Sequence, residues 1–314
     1  MNKGYILGRF TPLHNGHIEL IDKALHEVDD LTIILGSPNR GTSLKNPFSV
    51  EERKHMIQKV FPTVKFDTMD DMYDTDLWTR IFKSKTKDGT VFGFKKSDGS
   101  SDWVDYLDNY VELDVKGVNI SATDVREIIY TQQDMQNIHT LVHPSTYEFI
   151  ASYDFNELIE RYKFCENYKR RTSNVYGEVV HTTVDALITT HIDFKEYILL
   201  INRGGDIGKD QWALAGGFLE HGERLLIGAK REACEETGVN LDGIEPTSYK
   251  YYDAPDRDDR GHIITHVYKF YVDVEKLANM VAGDDAKEVR LFPYDDIKDL
   301  NMYGDHKMII MDSL

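Results

Sequence analysis

Apolar and polar positions in the first half of the chain switch between two periods. Residues 5–7 form a short apolar run that stops at Gly8, the pattern of a buried parallel strand. Across 17–28, Ile18, Ile21, Ala24, Leu25 and Val28 recur every three or four positions and predict a helix with one apolar face. Residues 31–36 are a second β-rich run, so strand, helix and strand predict a βαβ unit with a right-handed crossover. A helix is predicted over 49–60, where Ser49 as N-cap and Glu52 complete a capping box. Runs at 91–94 and 111–113 predict strands, and 123–130 a helix. This alternation implies a doubly wound, Rossmann-like parallel sheet covered on both faces.

The pattern changes around 144–174. Pro144 opens a stretch that predicts two helices and ends in the basic run Lys169-Arg170-Arg171. Beyond it β-prone runs dominate, at 184–190, 197–202 and 266–274, with one helix predicted over 224–237. The organisation expected is an α/β domain over 1–143, a helical linker over 144–174, and an α+β domain over 175–314. No internal repeat or low-complexity tract stands out.

A length of 314 residues suits two domains, and a hydrophobic fraction of 41% gives each its own core. Against 37 Lys plus Arg stand 54 Asp plus Glu, a net charge of −17 that opposes wrapping by DNA or RNA. Small anionic ligands then require local Arg and His clusters or bound cations. Cys165 and Cys234 match no metal or redox spacing and suit a reducing compartment. The first apolar run is too short for a signal peptide, and no stretch approaches the roughly 18 apolar residues of a membrane span. The expectation is a cytoplasmic protein with neither membrane nor nucleic-acid partners.

The turn after the first strand carries the first candidate chemistry. Gly8 and Gly16 let backbone approach a phosphate, His14 and His17 each offer a ring N–H, and Arg9 adds a fork of donors at a helix N-terminus. The same residues also suit an ordinary turn with two helix-cap histidines. Ser121, Thr123 and Arg126 begin another predicted helix, either a second anion-binding N-terminus or a capped helix with a solvated arginine. Two such turns in one α/β domain favour phosphate binding.

Gly8-Arg9-Phe10-Thr11-Pro12 followed by His14-Asn15-Gly16-His17 resembles the nucleotidyltransferase superfamily with its HxGH signature, and residues 120–126, Ile-Ser-Ala-Thr-Asp-Val-Arg, resemble its ISxTxxR signature. Gly36-Ser37 with residues 46–53 is similar to nicotinamide mononucleotide (NMN) adenylyltransferases. The resemblance implies that ATP and NMN give NAD and pyrophosphate, without a covalent intermediate, by positioning and charge neutralisation. It implies that His14, His17 and Arg126 hold the ATP phosphates, and that Arg9 lies at the reacting phosphates with Mg²⁺ sharing the charge. It further implies that Gly8, Phe10, Arg53, Ser121 and Thr123 line the substrate site. Trp78 is a stacking platform for the nicotinamide ring or a core tryptophan. One departure is Phe94-Lys95-Lys96-Ser97-Asp98, which stands where the family often has a histidine after Gly93.

The second constellation runs from Gly217 to Val239. Five residues separate Gly217 from Glu223, and seven more precede Arg231-Glu232-Ala233-Cys234-Glu235-Glu236-Thr237-Gly238-Val239. On a helix Glu232, Glu235 and Glu236 share one face, where a cation relieves their repulsion, and hard oxygen ligands favour Mg²⁺ or Mn²⁺. Arg231 can pair with Glu223, and Gly238 ends the helix. A solvated acidic face is the plainer alternative, but it leaves Gly217, Glu223 and Arg231 at these offsets unexplained.

The pattern resembles the Nudix box, GX5EX7REUXEEXGU, with Ala233 where a larger aliphatic is usual and Ala215 where the lead-in commonly has proline. The resemblance implies metal-dependent hydrolysis of a nucleoside diphosphate linked to another group. It makes Glu232 and Glu236 metal ligands and Glu235 a ligand or catalytic group. Asp285 and Glu288 are further candidates on a later loop. Residues 252–262 with 264–266 resemble Nudix domains fused to NMN adenylyltransferases, which implies ADP-ribose as substrate and gives Arg257, Arg260 and His262 a phosphate or ribose to meet. A polar hairpin loop is the alternative there.

Both motifs on one chain, in this order, resemble bifunctional NMN adenylyltransferase/Nudix hydrolases. The partners implied are ATP, NMN, NAD and ADP-ribose, with self-association into a homo-oligomer left open. Rival readings are a different phosphate acceptor such as nicotinate mononucleotide, a different Nudix substrate such as NADH or a dinucleoside polyphosphate, and an ADP-ribose sensor.

Overall fold

The computed structural model describes residues 2–94, 104, 107–115, 121–133, 135–173, 177–283 and 286–314. Lys95, Lys96, Ser97, Asp98, Ile120 and Asp285 lie outside the described residues. The chain divides into two units, Met1–Asn39 with Leu44–Glu160, and Arg40–Ser43 with Arg161–Leu314. The helical stretch expected as a linker is thus divided after Glu160.

In the first unit, β1 (Lys3–Gly8), β2 (Asp30–Gly36), β3 (Lys65–Met69), β4 (Thr90–Gly93) and β5 (Tyr110–Glu112) form one parallel sheet in the order β3-β2-β1-β4-β5. That order is the doubly wound arrangement, and its reversal at β1 puts the ligand crevice at the end of that strand. The central strands are apolar on both faces, with Ile6, Ile33, Ile34 and Leu35 almost fully buried. Helices α1 (Asn15–Glu27), α2 (Val50–Val60), α3 (Thr75–Thr86) and α4 (Ala122–Thr131) alternate with the strands, and the short α5 (Ile138–Leu141) and α6 (Pro144–Ser152) follow. Ser49 caps α2 with the reciprocal Glu52 bond predicted from the sequence.

In the second unit, α7 (Asn156–Thr172), most of whose length belongs here, precedes a mixed sheet. Its strands are β6 (His181–Ile192), β7 (Lys195–Arg203), β8 (Trp212–Ala213), β9 (Ala215–Phe218), β10 (Ser248–Tyr252), β11 (Ile263–Tyr271) and β12 (Ala286–Pro293). The path runs β10-β11-β6-β7-β12. β6 and β7 pair only near their hairpin turn, after which β9 bonds β6 and β8 bonds β7. Residues 212–218 therefore fill the gap where the hairpin splays, and this carries Gly216 and Gly217 to α8 (Leu225–Thr237). That helix buries the small residues Ala229 and Ala233, and Ala233 packs in one cluster with Ala186, Ile188, Leu199 and Phe270. A last helix, α9 (His306–Ser313), closes the unit. Among the described residues no helix is long and apolar enough to cross a membrane.

Candidate active sites

β1 delivers the first site. Beyond Gly8, Phe10 takes the left-handed backbone conformation (φ 53°) and turns its ring back over the glycine. A Cβ on Gly8 would lie 2.8 Å from that ring, so glycine here makes room for a side chain. His14 is the N-cap of α1, and its backbone N–H donates to Nδ1 of His17 at 3.3 Å. The two imidazoles stack with centroids 3.7 Å apart, and Phe10 lies 4.6 Å from His17. Both histidines thus sit in the first turn of a helix whose opening N–H groups favour anions.

Arg126 joins the two sequence motifs. From α4 it donates through Nη1 to the Thr11 carbonyl at 2.7 Å and through Nη2 to Thr123 Oγ1 at 3.1 Å. Ser121 has taken the cap role: its Oγ accepts the Asp124 N–H at 3.2 Å, and its own N–H and hydroxyl donate to the Asp124 carboxylate. Arg53, a substrate-binding candidate in the sequence, is buried and donates instead to the carbonyls of Gly36 (2.7 Å), Arg9 (3.1 Å) and Ser49 (3.3 Å). Burial lowers its pKa to about 10. It ties together the ends of β1 and β2 and the start of α2. The Arg9 side chain is exposed. Ser37 and Asn39 bond Asp71, which organises the loop after β2. Trp78 is half-buried and stacks on Phe82 at 5.2 Å, against the apolar core.

In the second unit Arg231 is the hub. Its Nε and Nη2 grip the two oxygens of Glu223 at 2.9 and 3.0 Å, its Nη1 donates to Glu232 and Glu235 at 2.8 Å each, and its Nη2 reaches the Phe218 carbonyl at 3.3 Å. The guanidinium holds Glu223 below the usual carboxylate range. Glu236 is buried and accepts the Gly216 N–H at 2.8 Å. Burial, with Glu232 nearby, pushes its carboxyl up to about 8, and burial also raises Glu232. A Cβ on Gly217 would stand 2.6 Å from Glu232 Oε1, and one on Gly228 would stand 2.9 Å from Glu223 Oε2, so both glycines admit a carboxylate. Asp185, which the sequence reasoning missed, lies opposite Gly216 on β6 and accepts a bond from Thr265 Oγ1. A lone aspartate inside an apolar strand gives no spacing to notice.

A buried carboxylate, Glu236, and a partly buried one, Glu232, both raised by burial and beside an arginine already engaged, form a donor set whose chemistry suits a hard divalent cation. Among the described residues no three acidic, histidine or cysteine side chains are gathered at ligating geometry, and Arg231 engages both Glu232 and Glu235.

The arginines expected to meet substrate are engaged internally. Arg257 is buried with Nε and Nη2 on the two oxygens of Asp305, both at 2.9 Å. Arg260 makes the same two-point contact with Asp258, at 2.9 and 2.8 Å, and holds that carboxyl well below its usual range. His262 Nε2 lies 3.1 Å from the Asp253 carbonyl. Glu288 pairs with Arg290 on β12.

Fold and sites together define a chain of two nucleotide-handling units, a nucleotidyltransferase-like α/β unit followed by a Nudix unit. The cytidylyltransferase-like family matches residues 5–192 and the NUDIX domain family matches residues 181–312. They overlap on β6, which the structure assigns to the second sheet. The chain belongs to the cytidylyltransferase-like family and carries a NUDIX domain at its C-terminal side. A bifunctional NMN adenylyltransferase/ADP-ribose pyrophosphatase from Francisella tularensis is similar over 99% of this chain and 98% of its own, with 30% identity and a TM-score of 0.82. A second structure of that protein is complexed with AMP and a Mn ion. An ADP-ribose pyrophosphatase of Methanocaldococcus jannaschii is 37% identical over 149 residues, 46% of this chain and 80% of that protein. A nicotinamide/nicotinic acid mononucleotide adenylyltransferase of Acinetobacter baylyi is 27% identical over 183 residues, 54% of this chain and 94% of that protein.

Proposed function

We propose that the chain carries two activities of NAD metabolism: adenylyl transfer from ATP to NMN in the first unit, and hydrolysis of ADP-ribose to AMP and ribose 5-phosphate in the second. The observation that carries this is one chain holding both constellations, the Arg126-bound phosphate turn and the Arg231-bound carboxylates, with likeness to the Francisella protein along nearly its whole length.

In the transfer, an oxygen of the NMN phosphate bonds to the α-phosphorus of ATP, the α–β bridging bond breaks, and pyrophosphate leaves. His14, His17 and Arg126 hold phosphates at the N-terminus of α1, and Arg9 meets the reacting groups. Arg53 keeps the turn in place through the Arg9 and Gly36 carbonyls. In the hydrolysis, a water oxygen bonds to one phosphorus of the diphosphate and the bridging bond breaks. Glu232 and Glu236, with Glu235 completing the set, hold a divalent cation, Mg²⁺ or Mn²⁺, which when bound polarises the diphosphate and acidifies the attacking water. Arg231 fixes the carboxylates and is itself held by Glu223. A reducing, cytoplasmic setting goes with this function and is supported by two free thiols, Cys165 and Cys234.

The test is product analysis. With Mg²⁺, ATP plus NMN should give NAD, and ADP-ribose should give AMP. Absence of either product removes the corresponding half of the proposal.

A further inference from the structure

The backbone that carries Gly216 and Gly217 changes partners partway along. Pairing of β8 with β7 ends at Ala213, and pairing of β9 with β6 begins at Ala215. Leu214 lies between them, buried, where the chain crosses from one strand to the other. Its N–H donates at 3.0 Å to Nδ1 of His306, the first residue of α9. Two residues on, the Gly216 N–H donates to Glu236, and Gly217 leaves the room that Glu232 takes up.

His306 is a buried imidazole that the hydrolysis as described leaves without a part. Burial lowers its pKa, so the ring stays neutral and Nδ1 keeps its lone pair for the Leu214 N–H. The ring is itself held in place. Tyr303 stands edge-on to it at 5.5 Å, and the Tyr303 carbonyl accepts the His306 N–H at 3.0 Å. Next to it, the Asp305 carboxylate is gripped at two points by Arg257, and the Asp305 carbonyl accepts the Ile309 N–H at 3.0 Å, which fixes the first turn of α9. The Tyr303 N–H donates to the Trp212 carbonyl at 2.8 Å, so the approach to α9 is tied to β8 as well.

We propose that His306 is a positioning residue of the hydrolytic site: its Nδ1 takes up the Leu214 N–H at the strand crossing and so sets where Gly216 and Gly217 meet Glu236 and Glu232. The proposal rests on the second unit hydrolysing ADP-ribose with a divalent cation at those carboxylates. His306 touches no substrate. It acts through one hydrogen bond and two residues of backbone, and a displacement of about an ångström there lowers rate far more than it lowers substrate binding. Arg257 gains a role in the same way, as the anchor of the turn that presents His306.

His306→Leu, which fills the space without an acceptor, should lower kcat for ADP-ribose about tenfold and keep KM within about twofold, with unchanged circular dichroism. It should also weaken Mn²⁺ binding about tenfold, read from the electron paramagnetic resonance of the free ion. His306→Asn, whose Oδ1 can stand near the place of Nδ1, should recover most of both losses. Parental kcat and Mn²⁺ affinity in folded His306→Leu, or an Asn variant no better than Leu, overturns the proposal. Where the Leu variant does not fold, hydrogen exchange in the parent chain decides. Mg²⁺ should slow exchange over residues 212–218 and 305–311 together, and protection confined to 212–218 overturns the role of His306. A parent chain that turns over no ADP-ribose overturns the proposed function instead, and Mn²⁺ affinity in the two variants still decides the role of His306. A parent that binds no Mn²⁺ overturns both.

Discussion

On the proposed function, Glu236 is the side chain of the second unit on which hydrolysis depends most. Its carboxyl is held at about 8 in the fold against an ordinary 4.5, chiefly by burial. A raised folded-state pKa means that this group's stabilising difference is fully present below pH 4.5 and is lost as pH rises through 8. Cation-free protein should therefore melt at progressively lower temperature across that window. Added Mg²⁺ should recover more stability at its upper end, because the metal replaces a proton there; thermal melts with and without the cation check both. Glu236→Gln keeps an acceptor for the Gly216 N–H but removes the charge, and should lower ADP-ribose hydrolysis by about 10²- to 10³-fold. The acidic face that carries Glu232, Glu235 and Glu236 was legible because helical spacing is a periodic signal. The roles of Arg53, Arg257 and Arg260 were not. A sequence displays a guanidinium but not the carbonyls of Gly36 and Arg9, nor the carboxylates of Asp305 and Asp258, that take up its donors.

Elements place these residues, and their close approaches are where single changes should show. Gly217→Ala would set a methyl group 2.6 Å from Glu232 Oε1, and either β9 or the carboxylate must move. Hydrolysis should fall at least about tenfold with unchanged circular dichroism, since a misplaced group costs rate without costing the fold. Arg53→Met should destabilise the first unit by about 1–3 kcal/mol for each buried carbonyl that loses its donor, measurable by chemical denaturation. The βαβ start, α2 with its capping box, and α8 followed from sequence, since each has a strong period or a cap. β3 did not, because at the sheet edge it alternates Lys65 and Asp67 with half-buried positions and lacks an apolar run. β8 and β9 were missed for another reason. They are too short to show a period, and they exist because β6 and β7 splay apart, which is a tertiary fact.

At the scale of the molecule, the proposed function asks a chain of net charge −17 to handle polyanions through local inversions of that charge: His14, His17 and Arg126 in one unit, and a cation held by carboxylates in the other. The order of the two motifs made the pairing of two chemistries readable from sequence; the division of the chain falls after Glu160, within α7, a helix that carries no break in its pattern there. The central claim is that two separate sites perform two separate reactions, and it is tested most directly by crossing two variants with two assays. His17→Ala and Glu236→Gln, each purified and shown to be folded, are assayed for NAD formation from ATP and NMN and for AMP formation from ADP-ribose. The account predicts that His17→Ala loses nearly all NAD synthesis and keeps hydrolysis, while Glu236→Gln does the reverse. Loss of both activities in either folded variant, or wild-type NAD synthesis in His17→Ala, would contradict it.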